Sequence, residues 1–204
     1  MTKVKICGLT EQQHIEAAVE AGVDAIGFVF APSSRQISVN EAKQLSALIP
    51  KGVLKIGVFV NATAEELHHI YQEVGLDYIQ LHGEETPEFI RKVGLPTIKS
   101  FAVRKAEDVL EAKAYDVDYY LFDAPGTVYK GGSGVTFDWA LLRGSGVSTE
   151  KLILAGGLHA ENVQEAIERV QPFMVDVSSG VEKNKRKDGL LMQTFIETVR
   201  DEER

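Results

Sequence analysis

Short apolar runs alternate with amphipathic segments along the whole chain. The runs are rich in β-branched and aromatic side chains and are often apolar on both faces, which is typical of parallel strands covered by helices. The segments between them repeat apolar residues every three to four positions, and we count eight predicted helices. The predicted strands are also eight: Val4–Cys7, Ala25–Phe30, Leu54–Phe59, Tyr78–Leu81, Thr97–Phe101, Tyr119–Phe122, Leu152–Ala155 and Phe173–Val177.

Signals for helix starts agree with this periodicity. Thr10–Gln13, Ser38–Glu41 and Thr63–Glu66 have the spacing of a capping box, and Thr86-Pro87 places a cap before a proline at the first helical position. The strand and helix units follow one another without a Pro-rich or Ser-rich linker. We therefore predict a single (β/α)8 TIM barrel, an α/β fold with a closed parallel sheet, over residues 1–204. An open doubly wound sheet is the alternative.

Composition and charge exclude some classes of binding partner and indicate a cellular compartment. The chain has 204 residues, a formal net charge of −8 and one cysteine. Nucleic acids and anionic membranes need a basic surface, so we expect neither as a partner. No apolar run approaches the roughly 18 residues that cross a membrane, and the amino terminus lacks the apolar core of a signal peptide. A single cysteine also cannot form an internal disulfide, and these three observations together predict a cytoplasmic protein.

Polar groups lie where the predicted strands end, which is where the active site of such a barrel is built. Cys7, at the end of the first strand, is either an inert buried thiol or a reactive group. Asp123 follows Phe122 in an apolar run; it either braces its own loop or, with a pKa raised by burial, serves as a general acid. His82 either orders a loop or touches a substrate. Asp176 alternates with apolar neighbours and is expected to point into the barrel.

Candidate anion-binding groups lie on the same rim. The second loop carries Arg35, either a fork for a carboxylate or a surface arginine. Small residues follow strands seven and eight at the usual phosphate position of this fold, where backbone N–H groups bind an anion. The predicted phosphate site consists of Gly156, Gly157, Ser178, Ser179 and Gly180, and a further glycine-rich stretch, Gly131-Gly132-Ser133-Gly134, lies in the sixth loop. Neither a metal-ligand spacing nor a Gly-x-Gly-x-x-Gly motif is present, so we expect no metal and no dinucleotide.

Many short motifs in this order resemble the phosphoribosylanthranilate isomerase family of tryptophan biosynthesis. The resemblance covers nearly the whole chain and is carried by Lys5-Ile6-Cys7-Gly8-Leu9-Thr10, Gly27-Phe28-Val29-Phe30, Gly57-Val58-Phe59-Val60-Asn61, Gln80-Leu81-His82-Gly83, Gly131-Gly132-Ser133-Gly134, Phe137-Asp138-Trp139, Ala155-Gly156-Gly157-Leu158 and Val175-Asp176-Val177-Ser178-Ser179-Gly180-Val181-Glu182. It implies a cofactor-free Amadori rearrangement of N-(5-phosphoribosyl)anthranilate, a small phosphorylated substrate, by a monomer or a homodimer.

The resemblance also implies roles for single residues. Asp123 matches the family's general acid and Cys7 its general base. Because a free thiol is only a few per cent ionised at neutral pH, we expect Cys7 to have a lowered pKa or a proton-transfer partner. Arg35 matches the residue that meets the anthranilate carboxylate, although Gln36 replaces the aromatic residue found there in some members. Asp176 and His82 match residues that line the pocket, and residues 131–134 match part of a mobile loop that closes over the substrate.

Two alternatives to this function remain. The related isomerase of histidine biosynthesis performs the same rearrangement on a nucleotide, but it has an aspartate base where this chain has Cys7. The other alternative is a catalytically silent barrel that binds a phosphorylated metabolite. A pure binding protein has no need of an acid and a base, so Cys7 and Asp123 favour the enzyme.

Overall fold

Eight parallel strands close into a barrel in the order of the chain. The computed structural model describes residues 1–125, 136–142 and 146–201. Because β1 pairs with both β2 and β8, the barrel sheet has no free edge. The TIM-barrel prediction is confirmed, and each strand end lies within one residue of its predicted position. The strands are β1 (Lys3–Cys7), β2 (Ala25–Val29), β3 (Leu54–Phe59), β4 (Tyr78–Leu81), β5 (Thr97–Ala102), β6 (Tyr119–Asp123), β7 (Leu152–Leu154) and β8 (Met174–Val177).

Seven α-helices are found in the described part of the chain: α1 (Gln12–Glu20), α2 (Val39–Ser46), α3 (Ala64–Val74), α4 (Pro87–Val93), α5 (Ala106–Leu110), α6 (Val163–Val170) and α7 (Gly189–Asp201). The eighth predicted helix, between β6 and β7, is not an α-helix in the residues described there. These form two 3-10 helices, Trp139–Leu142 and Thr149–Lys151, and the first is a single turn whose Ala140 N–H is bound by the Asp138 carboxylate. A short hairpin of β9 (Glu182–Lys183) and β10 (Arg186–Lys187) precedes α7.

Alternate residues of the strands build two separate cores. One face of the sheet packs under the helices and includes Ile6, Phe28, Leu81 and Phe122. The other face fills the inside of the barrel with the apolar cluster Ala25, Ile56, Ile98, Leu121, Ile153, Ala155 and Met174. Inside the barrel the inward-facing residues are apolar, and at the carboxyl ends of the strands they become polar. No described helix is long and apolar enough to cross a membrane.

Side-chain caps fix most of the helix starts that the sequence predicts. Ser38 and Thr63 each form a capping box, and Thr86 caps α4 ahead of Pro87. The prediction for Thr10 is wrong, because α1 starts at Gln12 without a side-chain cap. The N–H groups of Gly8 and Leu9 both donate to the Gly27 carbonyl, which holds the chain against β2 and delays the helix.

Thr63→Ala is expected to lower the free energy of unfolding by about 1 kcal/mol, because the Glu66 N–H loses its acceptor, the Thr63 hydroxyl, at 3.2 Å. Thr10→Ala is the matched control, since Thr10 is an exposed threonine just before a helix that it does not cap. Urea unfolding of both variants measures the difference. Equal losses of stability would contradict the assignment of the caps.

Candidate active site

A buried ion pair joins the first and last strands at the mouth of the barrel. Lys5 lies opposite Asp176 in the pairing of β1 with β8, and its Nζ is 2.8 Å from Asp176 Oδ2. The Lys5 side chain is fully buried and that of Asp176 is 9% exposed. Asp176 points into the barrel as predicted, and its Oδ1 has no hydrogen-bond partner among the described residues. A charged pair in a site this poor in water strongly affects every titratable group beside it.

Cys7 lies two residues after Lys5, on the same face of β1, and is partly buried. Burial raises the pKa of its thiol, and the negative charge of Asp176 adds to the rise. The positive charges of Lys5 and Lys187 lower the pKa but do not outweigh burial. Of the two alternatives expected for Cys7, a lowered pKa is wrong for the free protein, because loss of hydration outweighs both cations, and a proton-transfer partner stays a prediction. A side chain at Gly27 would contact Cys7 Sγ at 2.8 Å, so this glycine gives the thiol room.

Asp123 is the last residue of β6 and is 9% exposed. Burial, together with the negative charge of Asp176, raises its pKa from 3.8 to about 7. The Ala124 N–H and the Lys5 ammonium act in the opposite direction. The rise agrees with the sequence, where apolar neighbours precede this carboxyl. At neutral pH a large fraction of Asp123 is protonated and able to give up a proton.

His82 follows β4 and lines a cavity of about 540 Å3 on the β4 to β6 side of the mouth. Ser100 and Asp123 line the same cavity, and the Gln80 side-chain amide contacts the His82 ring. Of the predicted site residues, His82 and Asp123 line this cavity, whereas Cys7, Arg35 and the predicted phosphate loops do not.

A second buried ion pair holds the loop that carries His82. Lys99 Nζ is 3.0 Å from Glu85 Oε2 and 2.8 Å from the Gly83 carbonyl oxygen. Glu85 Oε1 in turn accepts the Asn61 N–H at 2.8 Å. Unlike Lys5, Lys99 is next to the inward-facing Ile98 and lies on the outer face of the sheet. This pair fixes the loops after β3 and β4 and so positions His82.

Arg35 lies at the rim, but its guanidinium is already paired. Its Nε and Nη2 are 2.6 and 2.9 Å from the two carboxylate oxygens of Glu182, which also binds Lys187 Nζ at 2.8 Å. The side chain of Arg35 passes over Gly8, where a Cβ atom would be 2.6 Å from Arg35 Cδ. A substrate carboxylate must therefore share or replace the Glu182 contact, and the role of Arg35 stays a prediction.

The predicted phosphate loops after β7 and β8 pack against each other. Gly156 and Gly157 have φ of +90° and +63°, and a side chain at Gly180 would collide with the Leu158 carbonyl oxygen. Among the described residues, no backbone carbonyl accepts from the N–H groups of Gly157, Ser179 or Gly180. Close backbone approach and N–H groups of this kind suit an anion.

Ser178 links the phosphate loops to the first strand and to the hairpin. Its hydroxyl donates to the Cys7 carbonyl at 3.1 Å, and Lys187 Nζ donates to the Ser178 carbonyl at 2.8 Å. The stretch Gly131-Gly132-Ser133-Gly134 lies outside the described residues. Among those that are described, no three His, Cys, Asp or Glu side chains form a group that could hold a metal ion.

Sequence reasoning missed the charged residues that surround Cys7. Lys5 carried a signal, since it shares the inward face of β1 with Cys7 in an otherwise apolar run. Glu182 stands in a quoted motif without an assigned role, and Lys187 follows it in a hairpin that no pattern predicts.

Comparisons with known proteins agree on one family. A family model described as N-(5'phosphoribosyl)anthranilate (PRA) isomerase matches residues 4–198. The N-(5'-phosphoribosyl)anthranilate isomerase of Listeria monocytogenes is 49% identical over 197 residues, which cover 97% of this chain and 98% of the relative.

Two solved structures are similar over nearly the full length. Phosphoribosyl anthranilate isomerase from Thermotoga maritima is 39% identical with a TM-score of 0.88, and the match covers 98% of this chain and 100% of that chain. The Thermotoga maritima protein is also described as dimeric. A phosphoribosyl anthranilate isomerase in complex with reduced 1-(o-carboxyphenylamino)-1-deoxyribulose 5-phosphate is 37% identical with a TM-score of 0.85, and the covered shares are again 98% and 100%.

Asp123→Asn is expected to change how stability depends on pH. Since folding raises the pKa of Asp123 from 3.8 to about 7, the folded protein keeps a proton that the unfolded chain releases between these values. Stability is therefore lost as pH rises through this window, by up to about 1.4 kcal/mol for each pH unit. Urea unfolding at about pH 4 and about pH 8 measures this. Relative to the wild type, the free energy of unfolding of the variant should be higher at about pH 8 than at about pH 4. The same difference between the two proteins at both pH values would contradict the raised pKa.

Proposed function

The chain belongs to the N-(5'-phosphoribosyl)anthranilate isomerase family, and we propose that it performs this isomerisation with Asp123 as general acid and Cys7 as general base. The reaction is an Amadori rearrangement in tryptophan biosynthesis that yields 1-(2-carboxyphenylamino)-1-deoxyribulose 5-phosphate. One observation carries the assignment of roles. The charges of a single buried ion pair, Lys5 and Asp176, act on the pKa values of both Asp123 and Cys7. Family membership favours this reaction over the histidine-pathway isomerase and over a silent binding barrel.

Asp123 acts first. Its neutral carboxyl gives a proton to the furanose ring oxygen, the bond from that oxygen to C1 breaks, and the nitrogen lone pair forms the C1=N bond of an iminium ion. The carboxylate that remains on Asp123 lies in a site poor in water, where its attraction to the iminium is strong. Its pKa of about 7 supports this role, because the acid is matched to neutral pH.

Cys7 acts second. Its thiolate removes the proton from C2, the electrons of that C–H bond form the C1=C2 bond, and the iminium electrons return to nitrogen. The resulting enolamine becomes the ketone when C1 gains a proton and the C2 hydroxyl loses one. The protonated thiol can supply the first of these protons and the Asp123 carboxylate can accept the second, which returns both groups to their starting forms.

The charge of the bound molecule changes the strength of this base. Burial raises the pKa of Cys7, and the phosphate and carboxylate of the substrate add negative charge that opposes a thiolate. The iminium ion formed by ring opening favours the thiolate. The iminium therefore increases the thiolate fraction of Cys7 at the step that uses it, and a titration of the thiol with and without a product analogue would show whether its pKa responds to the ligand.

Binding of the substrate is assigned to its two anionic ends. The N–H groups of Gly156, Gly157, Ser179 and Gly180 are suited to the phosphate, as in other barrels of this fold. At the other end, the Arg35 guanidinium is suited to the anthranilate carboxylate, which would compete with Glu182 for the same fork. The relative solved with a carboxyphenylamino ribulose phosphate holds a compound that carries both of these groups.

Cys7→Ser and Asp123→Asn are each expected to lower kcat/KM at least about a hundredfold, because general acid and base groups contribute about 100- to 10,000-fold. The assay follows the loss of anthranilate-type fluorescence from freshly generated phosphoribosylanthranilate. Asp118→Asn is the matched control, since Asp118 precedes β6 at the opposite end of the barrel and binds the Thr97 N–H. Wild-type activity in either of the first two variants would overturn its assigned role.

Ser179→Glu is expected to raise KM about tenfold or more, because a carboxylate beside the phosphate site repels the substrate. Ser179→Gln is the control for side-chain size, and its KM should stay closer to that of the wild type. Initial rates over a range of substrate concentrations separate the two variants. An equal KM for both would place the phosphate elsewhere.

A further inference from the structure

Lys5 is a buried cation that the proposed reaction does not use. Its side chain has no exposed surface, and its one ion-pair partner among the described residues is Asp176. Burial, the largest single influence, lowers the pKa of Lys5, but the charges of Asp176 and Cys7 and the hydrogen bonds to them together raise it above the ordinary value. A buried pair such as this is a weak source of stability, since the desolvation cost offsets most of the attraction. Its position directly before Cys7 on the inner face of β1 suggests a different use.

Four charged groups act on Cys7 from the elements around it. Lys5 reaches it from β1, Asp176 from β8, Lys187 from β10 and Arg35 from the loop after β2. Lys187 and Arg35 share the carboxylate of Glu182, and Arg35 is partly exposed. Lys5 has a stronger effect on Cys7 than Lys187 has. Its ammonium is fully buried, and charge interactions are least screened where water is excluded.

We propose that Lys5 is a positioning residue for the reaction: its ammonium, held in place by Asp176, stabilises the thiolate of Cys7. This inference rests on the proposed role of Cys7 as the base. The thiol of the free protein loses its proton to water through the open mouth of the barrel, and the thiolate later takes the C2 proton of the substrate. Lys5 keeps its own protons in both steps, so its contribution is electrostatic.

The single cysteine makes the ionisation of Cys7 directly measurable. Iodoacetamide reacts with thiolates, so the pH dependence of its reaction with the intact protein reports the thiolate fraction of Cys7 alone. In Lys5→Met we expect the alkylation profile to shift to higher pH, with the rate at neutral pH falling about tenfold for each unit of that shift. The kcat/KM profile measured in parallel should move in the same direction.

Lys99→Met is the matched control. Lys99 is also buried and paired with a carboxylate, but it lies on the outer face of the sheet beside Phe101 and Tyr115. Lys99→Met is expected to lower stability but to leave the alkylation profile of Cys7 at the wild-type position. An equal shift in Lys5→Met and Lys99→Met would show that loosened packing causes the change and would overturn the proposal.

A double variant keeps the test possible if Lys5→Met does not fold because an unpaired Asp176 is left inside the barrel. Lys5→Met/Asp176→Asn removes both charges of the pair. The profile should still shift to higher pH, though by less, since the attraction from Lys5 exceeds the repulsion from Asp176. An unchanged profile in the folded single or double variant overturns the role of Lys5. Alkylation needs no turnover, so an inactive wild type would count against the proposed function and not against this coupling.

Discussion

The ion pair of Lys5 with Asp176 is the interaction on which the chemistry of this barrel depends. It forms where β1 meets β8, the pairing that closes the sheet. Once the barrel is closed, charges at its mouth are held with little water, so each one acts strongly on its neighbours. Asp176 raises the pKa of Asp123, whereas Lys5 opposes the rise in the pKa of Cys7. One pair thus acts with opposite sign on the proposed acid and the proposed base.

The distribution of apolar and small residues buries the ion pair and leaves space for the reacting groups. An apolar cluster fills the barrel below the ion pair, and the polar side chains are confined to the carboxyl ends of the strands. Glycines bring backbone close to the reacting groups: Gly27 leaves space for Cys7, and a side chain at Gly156 would contact Asp123 Oδ1 at 2.9 Å. Packing and function therefore depend on the same positions, because a larger residue at either glycine would displace the proposed base or acid.

Local pattern was sufficient to predict the strands, the barrel and the environment of Asp123. Each of these depends on residues near one another in sequence, such as the apolar run Tyr119–Phe122 before that carboxyl. The contacts that were missed join distant positions. Lys5 and Asp176 are 171 positions apart, and Arg35 and Glu182 are 147 apart, so each pair exists only after the barrel has closed. The cap at Thr10 failed for a related reason, since β2 holds the chain that precedes α1.

The pKa of Cys7, on which burial and nearby charges act in opposite directions, also could not be predicted from the sequence. Cys7 has a cation two residues before it, yet burial outweighs that cation and raises its pKa. Only the depth of the thiol in the closed barrel decides this balance. The family resemblance implies that Cys7 is the base, which stays a prediction, and it carries no information on how the ionisation of this thiol is controlled.

A neutral carboxylic acid held at the barrel mouth at physiological pH is the central requirement of the mechanism. The direct test is a carbon NMR titration of aspartate-labelled protein, with Asp123→Asn used to identify the Asp123 carboxyl signal. This signal is expected to titrate at a pH of about 7. A signal that titrates at the ordinary value of 3.8 would mean that Asp123 is ionised in the free protein and would contradict its role as the acid.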